Sequence, residues 1–491
     1  MIPIIAGEAA VQTASLFNDI LGLGPVILLF FAAMAVLLIE AMTKGQERWH
    51  LAAITCLSIF AAMALVVNNT GTSTIFSGMV SVDAYGRFFT VMFGIAGVLV
   101  VLLSPDYLKK IGVAFGEYYS LVLFSLMGMI LMATANDLML MFVALEIMSI
   151  AMYILAAIRR DNPKSVESGF KYFILGAFSS AIFLYGIAFV FGATGTTNIV
   201  EIGEVIAHGE AGSTLLVGAG LLLVGFAFKI GSVPFHMWVP DVYEGAPTTV
   251  TALMATGVKA ASFAAFGRVL LSAFPGISED WVCVIWIISA STMVLGNVAA
   301  LVQNDLKRIL AFSSVGHAGF ALMALVAFED AHAMLFYLFG YTFMTLGAFA
   351  ILSMIDSEDG GTDISSLNGL ASRHPWLAAG LSLVLLSLAG IPPTIGFIGK
   401  FSLFVAAING GFVVLAIIGA LSGAVGVYYY LRPIIAMYMK EPEGATSVTV
   451  SRAGILVLGL ACAVIVLFGL MPDLIMPMCR EGISSLTGIV I

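Results

Sequence analysis

The chain has 491 residues, 61% of them hydrophobic and only 10% charged, with a net charge of −9 and a mean hydropathy of +1.08. A soluble globular protein carries about 25% charged residues to cover its surface, so the composition excludes that class. The net charge is no argument for an acidic partner, because it sits mainly in loops on both sides of apolar runs, and no nucleic-acid partner is expected.

Runs of about 20 apolar residues, long enough to cross a hydrocarbon core of about 30 Å, recur along the whole length. They predict an all-α integral membrane protein with about 14 transmembrane helices, over residues 20–40, 49–67, 84–104, 117–133, 136–157, 165–193, 213–240, 247–274, 281–303, 306–327, 331–355, 376–408, 412–439 and 452–472. Nothing alternates in polarity as barrel strands do. No Lys or Arg precedes Lys44, so the amino end lacks the basic region of a cleavable signal peptide, and the first span is expected to be retained. Of the 20 Lys and Arg, 13 fall in or beside alternate loops, among them Lys44, Lys109, Lys110, Arg159, Lys307, Arg308 and Arg432. The opposite loops carry acids, as in "NIVEIGEVIAHGE" (198–210) and "GISEDW" (276–281). The positive-inside rule places the first set in the cytoplasm and both termini outside.

Taken in chain order, a few ionisable residues remain inside the spans. Glu146 sits ten residues into the fifth, Lys171 in the sixth, Lys229 in the seventh, Lys259 in the eighth and Lys400 in the twelfth. Each such group costs about 2.5 to 3.5 kcal/mol at mid-membrane, and normally faces a wet cavity or marks an ion path. A Glu–Lys pair that only fixes helix register is the alternative, but one acid cannot neutralise four bases. A row of lysines suits proton passage; a sodium cage wants several oxygen ligands and no competing ammonium. His236, seven residues beyond Lys229, and His317 in "AFSSVGHAGF" are candidate relays. Arg87, Arg268 and Arg480 are expected to snorkel at helix ends, and Lys307 and Arg308 to set topology. Asp137, Asp241 and Glu244 read as capping or loop residues.

The chain also repeats itself. "NDL" at Asn136 returns at Asn304, "YFILG" (172–176) has a partner in "FYLFG" (336–340), and Lys229 beside Pro234 is answered by Pro392 and Pro393 beside Lys400. The offsets of 168, 164 and 171 residues predict two five-helix units, spans 4–8 and 9–13. Five is odd, so the second unit enters the bilayer inverted, an arrangement in which broken helices hold ions near the midplane. Spans 7 and 12 are the expected broken helices, since Pro and Gly interruptions are tolerated only where they line a cavity or lie buried in protein. The expected organisation is a three-helix segment (1–116), a first repeat (117–275), a second, inverted repeat (276–440) and a carboxy-terminal helix (441–491). Lys229 and Lys400 read as centres of two linked half-channels.

Other chemistries lack their residues. "GFIGKF" misses the first glycine and the Ser/Thr of a phosphate loop. Cys56, Cys283, Cys462 and Cys479 have neither C-x-x-C nor cluster spacing, so they read as packing residues and no metal site is expected.

Along nearly its whole length the chain resembles the antiporter-like membrane subunits of respiratory complex I, the proton-pumping NADH–quinone oxidoreductase, which are related to Mrp-type cation/proton antiporter subunits. The resemblance rests on Glu146, "FAFKIGSVPFHMWVPDVYEGAPT" (226–248) with Lys229, Lys259, "NDLKRILAFSSVGHAGF" (304–320) and the Pro-broken span with Lys400. Lys400 in place of glutamate, and a chain ending soon after its last span, make it most like the N-type subunit, counterpart of mitochondrial subunit 2. The resemblance implies a subunit of a proton-pumping translocase with no redox site of its own. Glu146 would tune Lys229, Lys171 would lie on the inward side, Lys259 would connect the halves and Lys400 would release protons outward. NADH, FMN, iron–sulfur clusters and quinone would belong to other subunits, and the partners would be membrane subunits, including another antiporter-like one and a small one. The implied location is a bacterial inner membrane with both termini periplasmic; the mitochondrial inner membrane is the alternative location. An Mrp-type antiporter component and a non-conducting structural spacer are the competing readings.

Overall fold

The computed structural model describes residues 19–43, 48–69, 71–113, 115–209, 212–356, 362–441 and 448–488; Lys44, Glu210 and both chain ends lie outside the described residues. Thirteen helices are long and apolar enough to cross a membrane, from Gly24–Met42 to Arg452–Leu470. Two shorter apolar helices, Pro375–Ala389 and Ile395–Asn409, together make the expected broken twelfth span. The fourteen expected spans are thus all present. A hairpin of Ser73–Ile75 with Val80–Val82 covers the loop between spans 2 and 3, and a final helix, Met476–Thr487, packs back against span 3 (Ala84–Lys110).

The interior is built around span 8. It runs from Thr248 to Ala273, is buried along its whole length like span 11 (His332–Ile355), and bears Lys259 in its middle. Its sequence "TALMATGVKAASFAAFGR" is rich in Ala, Gly, Ser and Thr, which let neighbouring backbones approach closely where lipid supplies no hydrophobic drive between helices. Two π-turns, Met254–Val258 and Val269–Ala273, bracket the segment Lys259–Arg268. Such bulges interrupt the helix where a side chain must be re-aimed.

Both ends of span 8 are tied to span 3 by buried charge. At one face Arg268 Nη1 and Nη2 donate to the two carboxylate oxygens of Asp83 at 2.8 and 3.1 Å, and Nε and Nη2 donate to Ala133 O. Arg268 is buried and does not snorkel, because Asp83 caps span 3 at the same depth. At the other face Asp356 Oδ2 accepts from Tyr107 Oη at 2.7 Å and Thr248 Oγ1 at 2.5 Å, and pairs with Lys307 Nζ at 3.1 Å. Lys307, read from sequence as a topology determinant, is therefore also half of a buried ion pair. Burial opposes the charge on Asp356, but the Lys307 ammonium and the hydroxyl donors outweigh it and hold the carboxyl below its usual range.

The inverted repeat is visible in matching hydrogen bonds. At the start of span 5 (Leu138–Ala156), Leu138 N donates to Thr197 O, Ile199 N donates to Asn136 O, and Thr197 Oγ1 donates to Asp137 Oδ2. At the start of span 10 (Leu306–Val326), Leu306 N donates to Thr362 O, Ile364 N donates to Asn304 O, and Thr362 Oγ1 donates to Asp305 Oδ2. The two "NDL" tripeptides form the same cap, once on the Asp83–Arg268 face and once on the Asp356–Lys307 face. Identical local chemistry on opposite faces is what five-helix inversion requires.

Replacing Arg268 by Met strands Asp83 without its counter-charge, which should cost about 3 to 5 kcal/mol, whereas the added change Asp83→Asn should restore much of the loss. Thermal unfolding of the purified chain in detergent checks this; equal midpoints for single and double variants would contradict it.

Candidate functional site

The two broken spans carry the site. Span 7 (Ser213–Ile230) ends at Gly231, whose φ of +72° suits glycine, and the chain resumes in the short helix Trp238–Gly245. The break's backbone groups find partners inside the protein: Trp238 Nε1 donates to Phe228 O at 3.1 Å and Val233 N donates to Thr292 Oγ1 at 3.0 Å. The break in span 12 has Gly390 at φ +86°, and here Lys400 Nζ donates to the freed carbonyls of Leu388 and Ala389 at 2.8 and 3.1 Å. An ammonium thus does in the second repeat what an indole N–H does in the first.

Gly390 follows Gly231 by 159 residues, and Pro393 follows Pro234 by the same number. Matched at the breaks, Lys229 corresponds to Leu388 and Lys400 to Asp241. The offset of 171 taken between the two lysines is corrected: one precedes its break and the other follows it.

Lys229 is buried in the last turn of its half-helix. Its Nζ donates to Ser149 Oγ at 2.8 Å and Tyr153 Oη at 3.2 Å, and lies 5.4 Å from the centroid of the Tyr153 ring. Glu146 stands one turn before Ser149 on the same helix, and its carboxylate accepts from Ser180 Oγ at 2.5 Å. No Glu146–Lys229 ion pair occurs among the described residues; Lys229 Nζ is bonded instead to Ser149 and Tyr153, on the helix that carries Glu146. Glu146 lies half-buried in a stripe whose other members, Met139, Val143, Ile150 and Ile154, are exposed and apolar.

Span 10 carries the chain of contacts from Lys259 to Lys400. Lys259 Nζ donates to Ser314 O at 2.6 Å and to its hydroxyl. One turn on, the His317 ring nitrogens meet Tyr337 Oη at 2.5 Å and Tyr430 Oη at 3.0 Å, and Tyr430 also bonds Ser313. One turn further, the Phe320 ring lies 5.1 Å from Lys400 Nζ. At ~1.5 Å rise per residue, Ser314 and Phe320 are ~9 Å apart along the helix, so its single face spans the two amines. Lys259, His317 and Lys400 are all buried.

The remaining candidates lie apart. Lys171 is not at mid-membrane: its side chain is 38% exposed and pairs with Glu167 at 2.6 Å and Asp241 at 2.7 Å. Span 6 (Pro163–Thr194) has 32 residues, ~48 Å of helix, and Lys171 lies ~12 Å from its start rather than at its middle. Asp241 also receives Arg308 at 3.2 Å, and Glu244 pairs with Arg308 at 2.7 Å and Lys164 at 2.8 Å. Loop readings for Asp241 and Glu244 and a pure topology reading for Arg308 are therefore too plain. Burial works against the Asp241 charge, yet hydrogen bonds from Lys171 and Arg308 hold its carboxyl below the ordinary range. His236 lies in the break, half-buried, with Nδ1 buried and without a hydrogen-bond partner among the described residues. Sequence reasoning missed Ser149, Tyr153, Ser314, Tyr337 and Tyr430. The spacings "EIMSIAMY" and "SSVGHAGF" held part of the signal, since residues three and seven apart share a helix face.

Known proteins resemble this arrangement closely. The family model described as NADH:quinone oxidoreductase/Mrp antiporter, TM matches residues 135–426. NADH-quinone oxidoreductase subunit N of Trichlorobacter lovleyi is 43% identical, over 90% of this chain and 95% of that protein. The subunit N of Myxococcus xanthus is 40% identical over 96% and 98%. Among solved structures, a chain of respiratory complex I from Thermus thermophilus with bound aureothin superposes with a TM-score of 0.81 at 33% identity, covering 93% of this chain and all of that one. A chain of the Mrp complex from Dietzia sp. has the same fold, with a TM-score of 0.84 at 21% identity. With buried amines on two inverted, broken spans and these likenesses over nearly its full length, the chain belongs to the NADH:quinone oxidoreductase/Mrp antiporter transmembrane family, within which its relatives are the N subunits of NADH-quinone oxidoreductases.

Proposed function

We propose that this chain translocates protons as the N subunit of an NADH-quinone oxidoreductase, along the line Lys229, Lys259, His317 and Lys400. One observation carries the reading. Buried Lys229, Lys259 and Lys400 are each held by neutral groups, hydroxyls or carbonyls, and among the described residues none of the three lies within ion-pair distance of a carboxylate. Arg268 and Lys307 are buried too, but each is locked to an aspartate. An amine with neutral partners can give up and regain a proton without breaking an ion pair, whereas a locked one cannot do so cheaply. Likeness to the N subunits at 43% identity, against 21% for the Mrp chain, favours the redox-driven complex over a free-standing antiporter.

Tyr153 and Ser149 would receive the Lys229 proton or return one, since a hydroxyl both donates and accepts. His317, held between two phenols, would relay between Lys259 and Lys400. Glu146 would act on Lys229 through the field at a distance of about one to two helical turns. The Lys164–Glu244–Arg308–Asp241–Lys171 network would form the inward mouth, beside His236. Electron transfer from NADH through flavin and iron–sulfur clusters to quinone would take place in other subunits. Another antiporter-like subunit and a small membrane subunit would adjoin this one, in a bacterial inner membrane with both termini periplasmic. Domain limits of 1–116, 117–275, 276–440 and 441–491 suit this division of labour.

Lys229→Ala should abolish most proton pumping per electron in the assembled complex while the subunit stays in the membrane; unchanged pumping would return the chain to a spacer. The double variant Ser149→Ala, Tyr153→Phe removes both hydroxyl partners and should lower pumping about tenfold or more, beyond the effect of either single change. Gly390→Ala places a Cβ 3.0 Å from Lys400 Cδ at a left-handed φ, so it should cost about 1 to 2 kcal/mol in backbone strain and impair pumping together. Thermal midpoints and pumping ratios measured on the same preparations check both effects.

A further inference from the structure

The caps at Asp137 and Asp305 are alike, but their surroundings differ. In the first repeat the cap is closed by residues that precede the repeat. Asn136 N donates to Met79 O at 2.8 Å, and Asn136 Nδ2 donates to Gly78 O at 2.9 Å. Asp83 pairs with Arg268, which also donates to Ala133 O at 3.0 Å. The second repeat keeps the receiving groups. Leu301 follows Ala133 by 168 residues, the offset between the two "NDL" tripeptides, and its carbonyl accepts from Arg432 Nη1 at 3.0 Å. Arg432 is thus the counterpart of Arg268. Its other partners are Gln303 O and Asn304 Oδ1, and among the described residues no carboxylate lies within ion-pair distance. Asn304 N and Nδ2 have no hydrogen-bond partner among the described residues either. A groove of about 460 Å³ opens here, lined by Asn304, Asp363, Ser365, Arg432, Ile435 and Lys440. We propose that this groove receives a turn of a neighbouring protein, which sets a carboxylate on Arg432 and a backbone carbonyl on the Asn304 amide, as residues 78–83 do in the first repeat.

The chemistry of the groove selects this occupant. Arg432 uses both Nη1 protons and one on Nη2, all on neutral oxygens. Its Nε–H and second Nη2–H remain, and that edge of a guanidinium takes a carboxylate with two bonds. Asp363 pairs with Asp305 as Asn198 pairs with Asp137, so it stands at the Asn198 position. Asn198 Nδ2 donates to Gly78 O at 3.2 Å, which a carboxylate cannot do, so the incoming turn meets Asp363 with an N–H instead. A free anion would satisfy Arg432 but leave the Asn304 donors and Asp363 without partners. A polypeptide turn carries all three kinds of group at once.

The proposal rests on the chain being one subunit of a complex, and hydrogen exchange read by mass spectrometry tests it on the full chain in detergent and on the assembled complex. The Asn136 amide is bonded within the chain and should exchange slowly in both. The Asn304 amide should exchange about a hundredfold more slowly in the complex than in the isolated chain. Ile435→Trp fills the groove from an exposed position and leaves the Arg432 bonds in place. It should remove the Asn304 protection while Asn136 keeps its own, which separates lost docking from lost fold. In the complex a carbodiimide should join Lys440 to an Asp or Glu of a neighbouring protein, and the same variant should remove that cross-link. Equal Asn304 exchange in both preparations overturns the proposal: if fast, nothing docks, and if slow, this chain's own residues close the groove. A Lys440 cross-link to a second copy of this chain overturns it as well. None of these readouts depends on pumping, so the docking site and the proton path can fail separately.

Discussion

Inside a bilayer, a polar backbone group or a charge has no solvent to fall back on, so each must be satisfied by the protein itself. Span 12 shows how far that constraint reaches. Breaking the helix at Gly390 releases the carbonyls of Leu388 and Ala389, and these supply the partners for the Lys400 ammonium. Either feature alone would be costly; together each satisfies the other. The span 7 break meets the same need with Trp238 and Thr292, which leaves Lys229 to hydroxyls on span 5.

The duplication therefore conserves a device and varies its chemistry. Caps at Asp137 and Asp305 are built from the same hydrogen bonds on opposite faces, and both broken spans end their first half in a left-handed glycine. Ionisable groups were then placed independently on that frame. The position matching Lys400 in the first repeat is Asp241, which sits at a surface mouth among Lys171 and Arg308. The two repeats share a backbone break without sharing the ionisable residue beside it.

Charge in this molecule is of two kinds. Asp83–Arg268 and Asp356–Lys307 are closed pairs that fasten span 8 to its neighbours at both faces. Lys229, Lys259 and Lys400 are open, held by neutral oxygens, with the Tyr153 ring beside Lys229 and the Phe320 ring beside Lys400. The first kind holds the central helix in place, the second leaves the amines free of carboxylate partners among the described residues, and the two π-turns around Lys259 lie between the fastened ends.

The sequence by itself determined the membrane, the fourteen spans, the inversion and the three central lysines. Hydrophobic run length, cation placement and repeated tripeptides are properties of the chain read in one dimension. Burial of Lys259 and Lys400 followed from the cost of an isolated cation in hydrocarbon. Only the tertiary structure decided what each charge meets. Arg268 and Asp83 are 185 residues apart and Lys307 and Asp356 are 49, and no local pattern pairs them. Lys171 looked central because apolar residues flank it, yet it lies in the third turn of the 32-residue span 6 and pairs with Glu167 and Asp241. Glu146 and Lys229 looked like a pair by type, but the amine meets the helix one to two turns beyond Glu146, at Ser149 and Tyr153. Partner choice depends on how helices pack and rotate, and that geometry is set by the whole bundle at once.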